Sequence, residues 1–305
     1  MRRLKTVLYR KKDFVARVTI NRPDARNGIN SQLVEDLFSA MDEARGDTSV
    51  GVVVITGAGD KIFCPGLDLV YAQTLFGDMD EVWRLNNGFS RVIYDIRHMG
   101  KPVIARINGI TAGGGCELLL ACDLAVSAEN ATFKQGAGGL GVVPVHATQS
   151  LTPIMGDKRA RWFLFTDEVV DAKTALDYGL INRVVPYDKL DEEVDGLCHN
   201  LLNKAPWCLR FAKDQMNVWF EMVYHTMHEG NDFSSLQSTT PEPLEGITAF
   251  LEKRTPDYIA LRKKAATGRS HTYLWGPPTK TCPDCSAKWL PSDFEFCGRC
   301  GAKLT

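Results

Sequence analysis

Glu117 stands between three consecutive glycines and a long apolar run, in NGITAGGGCELLLACDLAVSAENATF, residues 108–133. An ionisable group in a stretch otherwise suited to burial needs a reason. Gly113, Gly114 and Gly115 follow a strand-like segment and precede a helix-like one, where backbone N–H groups approach a ligand and the helix dipole favours negative charge. A second turn of this kind lies in KIFCPGLDL, residues 61–69. Its Pro65–Gly66 pair makes a tight bend and leaves the N–H of Leu67 free to point inward. Two such donors can polarise one carbonyl oxygen, and losing one costs about 2.7–4 kcal/mol of barrier. Burial would raise the pKa of Glu117 toward neutrality, which suits an acid or base. The competing readings are close helix-on-sheet packing for the glycines and backbone donors that satisfy the carboxylate.

The second chemical grouping is CPDCSAKWLPSDFEFCGRC, where Cys282–Cys285 and Cys297–Cys300 form two C-x-x-C pairs with eleven residues between them. Two pairs on tight turns suit a tetrahedral Zn²⁺. Two disulfides conflict with the reducing compartment that the remaining scattered cysteines suggest, and a redox pair would need a strand-and-helix setting that is missing here. Four thiolates close the coordination shell, so the expected zinc is structural and supplies folding energy to a segment too short to fold on its own apolar area.

The elements around these groups alternate. VARVTIN (15–21), VGVVVIT (50–56) and KPVIARING (101–109) carry β-branched runs, while 31–45 and 82–99 repeat apolar residues at helical spacing. Strands separated by helices imply an α/β body with mostly parallel pairing. From about residue 189 helices dominate. The expected organisation is a body over 1–258, a linker over 259–278 and a zinc ribbon over 279–305. The basic linker region, residues 262–281, reads as solvated chain or as a patch for nucleic acid or an acidic partner.

The 305 residues are 44% hydrophobic, enough for one substantial core and an appendage. Thirty-six basic against thirty-seven acidic residues leave a formal charge of −1, so no overall field recruits nucleic acid or an anionic membrane. Neither a membrane-spanning stretch nor a signal-peptide core is apparent, and the expected location is cytoplasmic.

NRPDARNGIN, KIFCPGLDL, the glycine–Glu117 stretch, MGDKRARWFLFTDEVVDAKTALDYGLINRVVP and EGITAFLEKRTP together resemble, in order and interval, the enoyl-CoA hydratase/isomerase (crotonase) superfamily over about residues 5–258. The resemblance implies a spiral of ββα turns followed by helices that build a homotrimer, often paired into a hexamer. It also implies an acyl-CoA thioester substrate, with coenzyme A as part of the substrate and its carbonyl oxygen held by the N–H groups of Leu67 and Gly114. Arg26, Asn27 and Lys61 then fall near the nucleotide and pantetheine path, with a solvated surface role equally open, and Pro65, Gly66 and Asp68 belong to the same ligand-binding set. Glu117 matches the first of the two acidic residues that hydratases use to hold and deprotonate water. Asp123 reads as an anchor for the helix end. The second glutamate is missing: four residues after Phe133 stands Ala137, and a methyl group cannot relay a proton.

His146, with an ordinary pKa near 6.5, lies in the loop PVHATQS where a substitute acid/base could sit; a packed loop histidine is the plainer reading. Three functions remain open. The leading one is an enoyl-CoA hydratase/dehydratase with Glu117 as single acid/base. The second is an atypical hydrolase, decarboxylase or isomerase of an unusual or cyclic acyl-CoA. The third is a non-catalytic acyl-CoA-binding scaffold. In each, the ribbon is expected to dock a protein partner or support assembly, with nucleic-acid binding as the runner-up.

Overall fold

The structure, a computed structural model, describes residues 4–267, 278–288, 290–291 and 294–304. The chain repeats a unit of two strands followed by helix. The first turn is β1 (Val7–Lys12), β2 (Val15–Ile20) and α1 (Ser31–Gly46); the second is β3 (Val52–Gly57), β4 (Ile62–Cys64), α2 (Leu69–Gln73) and α3 (Met79–His98). The third is β5 (Val103–Ile107), β6 (Ile110–Ala112) and α4 (Gly114–Ala121); the fourth is β7 (Leu124–Ala128), β8 (Thr132–Lys134), α5 (Ala137–Leu140) and α6 (Ala147–Met155). Next come α7 (Asp157–Thr166), β9 (Val170–Asp171), α8 (Ala172–Asp177) and β10 (Arg183–Val185). The described body ends in α9 (Leu190–Leu202), α10 (Pro206–Met216), α11 (Val218–Gln237), α12 (Pro241–Leu251) and α13 (Tyr258–Ala266).

Both strands of the first turn and the leading strand of each later turn join a six-stranded sheet in the order β1-β2-β3-β5-β7-β10, while the second strands of the second to fourth turns and β9 form a four-stranded sheet ordered β4-β6-β8-β9. Winding each turn beside the last makes both sheets largely parallel. The exceptions are the β1–β2 hairpin and the β8–β9 pair, which are antiparallel. The hairpin turns on Asp13 and Phe14, both at positive φ, the twist that matches paired strands.

Helices cover the larger sheet on both faces, which explains its unbroken β-branched runs. Val53, Ile55, Ala105 and Ile107 pack into the main core with residues of α1 and α3, while Val52, Val54, Ile104 and Val126 pack against Leu190, Val194 and Cys198 of α9. The expected helical region from 189 thus begins with a helix that completes the core of the sheet. α11 packs along α3. Helix α13 occupies the first part of the stretch expected as linker, and residues 268–277 lie outside the described residues. In the C-terminal segment β11 (Pro278–Lys280) pairs with β12 (Leu290–Pro291) beside the four cysteines. Among the described residues no helix is long and apolar enough to cross a membrane.

Candidate active site

Three neighbouring parallel strands end at one place. β4 pairs with β6 through Cys64↔Thr111, and β6 pairs with β8 through Ala112↔Lys134. The residues that follow these strands, Pro65–Leu67, Gly113–Gly114 and Gln135, are therefore set side by side at the carboxyl edge of the sheet, the usual position of a ligand crevice in such folds. A cavity of about 570 Å³ opens there, and Leu67, Gly113, Gly114, Glu117 and Gln135 all line it.

Two glycines permit the close approach. Gly66 has φ +89°, and a Cβ on it would sit 2.9 Å from the carbonyl oxygen of Ala112 and 3.0 Å from the N of Gly114. Any side chain there would force the two turns apart. A Cβ on Gly115 would meet the carbonyl oxygen of Cys64 at 2.0 Å, so α4 can start against β4 only with glycine at this position. Gly114 is the first residue of α4, whose N-cap, Gly113, supplies no side-chain partner. The N–H groups of Leu67 and Gly114 donate to no protein acceptor among the described residues, although the flanking Ile29 N–H and Asp68 N–H bridge Gly66 and Ile29 at 2.7 and 2.8 Å. Two free main-chain donors thus border one cavity.

Glu117 follows Gly114 by three residues and shares its face of α4. One carboxylate oxygen, Oε1, accepts the N–H groups of His146 at 2.9 Å and Ala147 at 3.0 Å. These are the orphan donors at the start of α6, and the carboxylate caps them. Oε2 makes no hydrogen bond among the described residues. Burial pushes the Glu117 carboxyl up to about 7, with the two N–H bonds opposing the rise. One Glu117 oxygen is thus satisfied by backbone donors, while the side chain still borders the cavity.

The other expected site residues divide. Arg26 and Pro65 line the cavity with Leu67 and Gly114. Lys61 is exposed and lies outside the lining. Asn27 is buried, its amide donating to the carbonyls of Ala58 and Ile62 at 3.0 Å each, so it holds the β3–β4 connection. Asp68 pairs with Arg22 at 3.0 Å and caps α2 through Tyr71 N–H. The His146 ring turns away from the cavity: Nε2 meets Ser90 Oγ at 3.2 Å and Nδ1 lies 3.3 Å from Met227 Sδ. Burial drives its pKa down to about 3, so it is neutral near pH 7 and its backbone N–H, not its imidazole, serves Glu117. Asp123 accepts from Val103 N–H and Lys213 Nζ, both at 2.7 Å, tying β5 to α10 rather than ending α4.

Gln135 escaped notice in the sequence. It is 2% exposed, lines the cavity, and its Oε1 is buried with no hydrogen-bond partner. Its backbone adjoins Gly113, since a Cβ on that glycine would lie 3.5 Å from the Gln135 carbonyl oxygen. Strand alternation carried the signal: Phe133 and Gln135 are buried on either side of the half-buried Lys134. Ala137 is buried at the start of α5 and also lines the cavity.

Away from this cavity, the sulfurs of Cys282, Cys285, Cys297 and Cys300 lie within 4.8 Å of one another. Cys282–Cys300 and Cys285–Cys297 are 3.5 and 3.6 Å apart, near the roughly 3.8 Å edge of a tetrahedron with Zn–S bonds of about 2.3 Å. The N–H groups of Cys285 and Arg299 donate to sulfurs of Cys282 and Cys297. Four thiols so placed fit a tetrahedral ion.

A family model for enoyl-CoA hydratase/isomerase matches residues 10–260. An enoyl-CoA hydratase from Bacillus anthracis is 30% identical, aligns over 83% of this chain and 98% of its own, and superposes with a TM-score of 0.68. One from Mycobacterium avium subsp. paratuberculosis K-10 is 28% identical over 84% of this chain and 99% of its own, with a TM-score of 0.75. An enoyl-CoA hydratase/isomerase from Xanthobacter autotrophicus Py2 is 26% identical over 88% and 100%, with a TM-score of 0.75. With that match over most of its length, and with the ββα spiral, the chain belongs to the enoyl-CoA hydratase/isomerase family.

Proposed function

We propose that this protein is an acyl-CoA enzyme that stabilises a thioester enolate, most simply as an enoyl-CoA hydratase/dehydratase with one acid/base carboxylate. The observation that carries the reading is Glu117, buried beside two unpartnered main-chain donors in one cavity. A thioester oxygen between Leu67 N–H and Gly114 N–H gains negative charge as the α-carbon loses or accepts a proton, and preorganised donors favour that state. Glu117, with its carboxyl near 7, exchanges the proton. Gln135 offers a neutral acceptor that can orient water but cannot ionise. Coenzyme A enters as part of the substrate, with Arg26 at the cavity wall.

Ala137 favours a second reading on the same enolate, because a single base suffices for isomerisation, decarboxylation or hydrolysis of an unusual acyl-CoA. Exchange of the acyl α-proton with solvent tests both readings. Exchange that Glu117→Gln abolishes supports the enzyme; binding of acyl-CoA without exchange would leave only the scaffold.

The four cysteines are read as holding a structural Zn²⁺ whose closed shell fixes the ribbon for partner docking. Exposed Trp162, Phe165, Trp207, Phe211, Met222 and Phe233 on α7, α10 and α11 support an oligomer, read as a trimer or hexamer. Light scattering of the purified chain tests that assembly.

A further inference from the structure

The cavity has one polar wall that proton transfer at the thioester does not use. Ser234 and Gln237 on α11 and Ser238, its C-cap in helical backbone, stand at i, i+3 and i+4, hence on one face, and all three line the cavity with Asn86 of α3. Around them the lining is apolar, including Leu75, Phe76, Leu85 and Phe89.

Two polar rungs join α3 to α11 here, and they differ. In the first, Ser90 Oγ and the Asn231 amide bond each other at 3.0–3.3 Å, and Ser90 also meets His146 and the Asn86 carbonyl. That rung is buried and closes on itself. In the second, Asn86 Nδ2 donates to Ser234 Oγ at 3.0 Å. The Asn86 side-chain oxygen Oδ1, the second N–H of its amide and the Ser234 hydroxyl hydrogen have no partner among the described residues. A hydrocarbon chain against this rung would dry those groups without replacing their water, costing about 1–3 kcal/mol for each left unpaired.

The rung also stands off from the reacting end. The Phe89 ring edge would lie 3.7 Å from a Cβ on Gly114. Asn86 is nearly one turn earlier on α3, about 4.5 Å along the axis. We propose that Asn86 and Ser234 bind an oxygen function on the acyl group, several carbons from the thioester, so that the substrate class is a hydroxy- or oxo-acyl-CoA. This rests on the acyl-CoA reading above.

Titration calorimetry with saturated, unreactive thioesters tests it. The probes are hexanoyl-CoA and hexanoyl-CoA hydroxylated at each of its last three carbons. The full chain should bind the best hydroxylated form about tenfold more tightly than hexanoyl-CoA, the yield of one or two net hydrogen bonds. Asn86→Leu should erase that preference while hexanoyl-CoA binding holds or tightens, a split that general damage to the fold does not produce. Ser234→Ala, a smaller change, should reduce the preference if the first variant does not fold. Equal or weaker binding of every hydroxylated form by the wild type overturns the proposal and leaves the acyl-CoA reading intact. Failure of the folded wild type to bind any of the four thioesters removes both.

Discussion

Glu117→Gln should separate the chemistry of this site from its stability. Burial lifts the carboxyl from 4.5 to about 7. At roughly 1.4 kcal/mol per tenfold change in acidity, the ionised form costs the native state on the order of 3 kcal/mol. The sign follows from proton counts. The folded chain keeps the proton while the unfolded chain releases it above about 4.5, so the native advantage is whole below that pH and is lost as pH rises through about 7. Glutamine retains an oxygen for the His146 and Ala147 N–H groups and does not titrate. Urea unfolding should therefore find variant and wild type similar near pH 4.5, with the variant more stable by on the order of 3 kcal/mol at about pH 8. In the same samples, exchange of the α-proton of bound acyl-CoA, followed by NMR in deuterated buffer, should fall about a hundred- to ten-thousand-fold. Wild-type exchange should rise through about pH 7 as the base forms. A stability gap that ignores pH, or exchange that survives the substitution, would refute the reasoning.

Other perturbations probe the rest of the site. Gly66→Ala places a Cβ 2.9 Å from the Ala112 carbonyl at φ +89°; strain of about 1–3 kcal/mol should appear in unfolding, and exchange should drop about a hundredfold as the donors separate. Gln135→Leu replaces an unpartnered acceptor with an apolar group of similar size, so the fold should hold or gain stability while turnover of enoyl-CoA falls about tenfold; its pH profile should keep the Glu117 inflection, whereas loss of that inflection would show that Gln135 acts by supporting Glu117. Stripping metal with a strong chelator should release one zinc per chain and open the segment after residue 278 to proteases while α-proton exchange is unchanged; metal analysis and timed proteolysis read this.

How far the sequence reveals this molecule depends on the kind of signal. The glycine turns were legible because Gly66 and Gly115 occupy backbone positions that a side chain forbids, and such constraints are local. The alternation of β-branched and amphipathic segments exposed the layered body, since a sheet covered by α1 and α3 on one face and α9 on the other requires unbroken apolar strands. His146 shows where residue type misleads: its ordinary pKa suggested chemistry, yet Ser90 and Met227 enclose the ring and burial keeps it neutral. Asn27 sits beside Arg26 in sequence but faces the opposite way, into the carbonyls of Ala58 and Ile62. Gln135 and the α11 face at Ser234, Gln237 and Ser238 went unread because their meaning depends on long-range packing. Only the pairing of β6 with β8 and the crossing of α3 by α11 bring them to the cavity.

The most direct test is a crystal structure with a saturated acyl-CoA bound. The thioester oxygen should lie within about 2.7–3.2 Å of both Leu67 N and Gly114 N, with Glu117 Oε2 facing the α- or β-carbon. A thioester bound elsewhere, or one whose oxygen meets neither amide, would contradict the account.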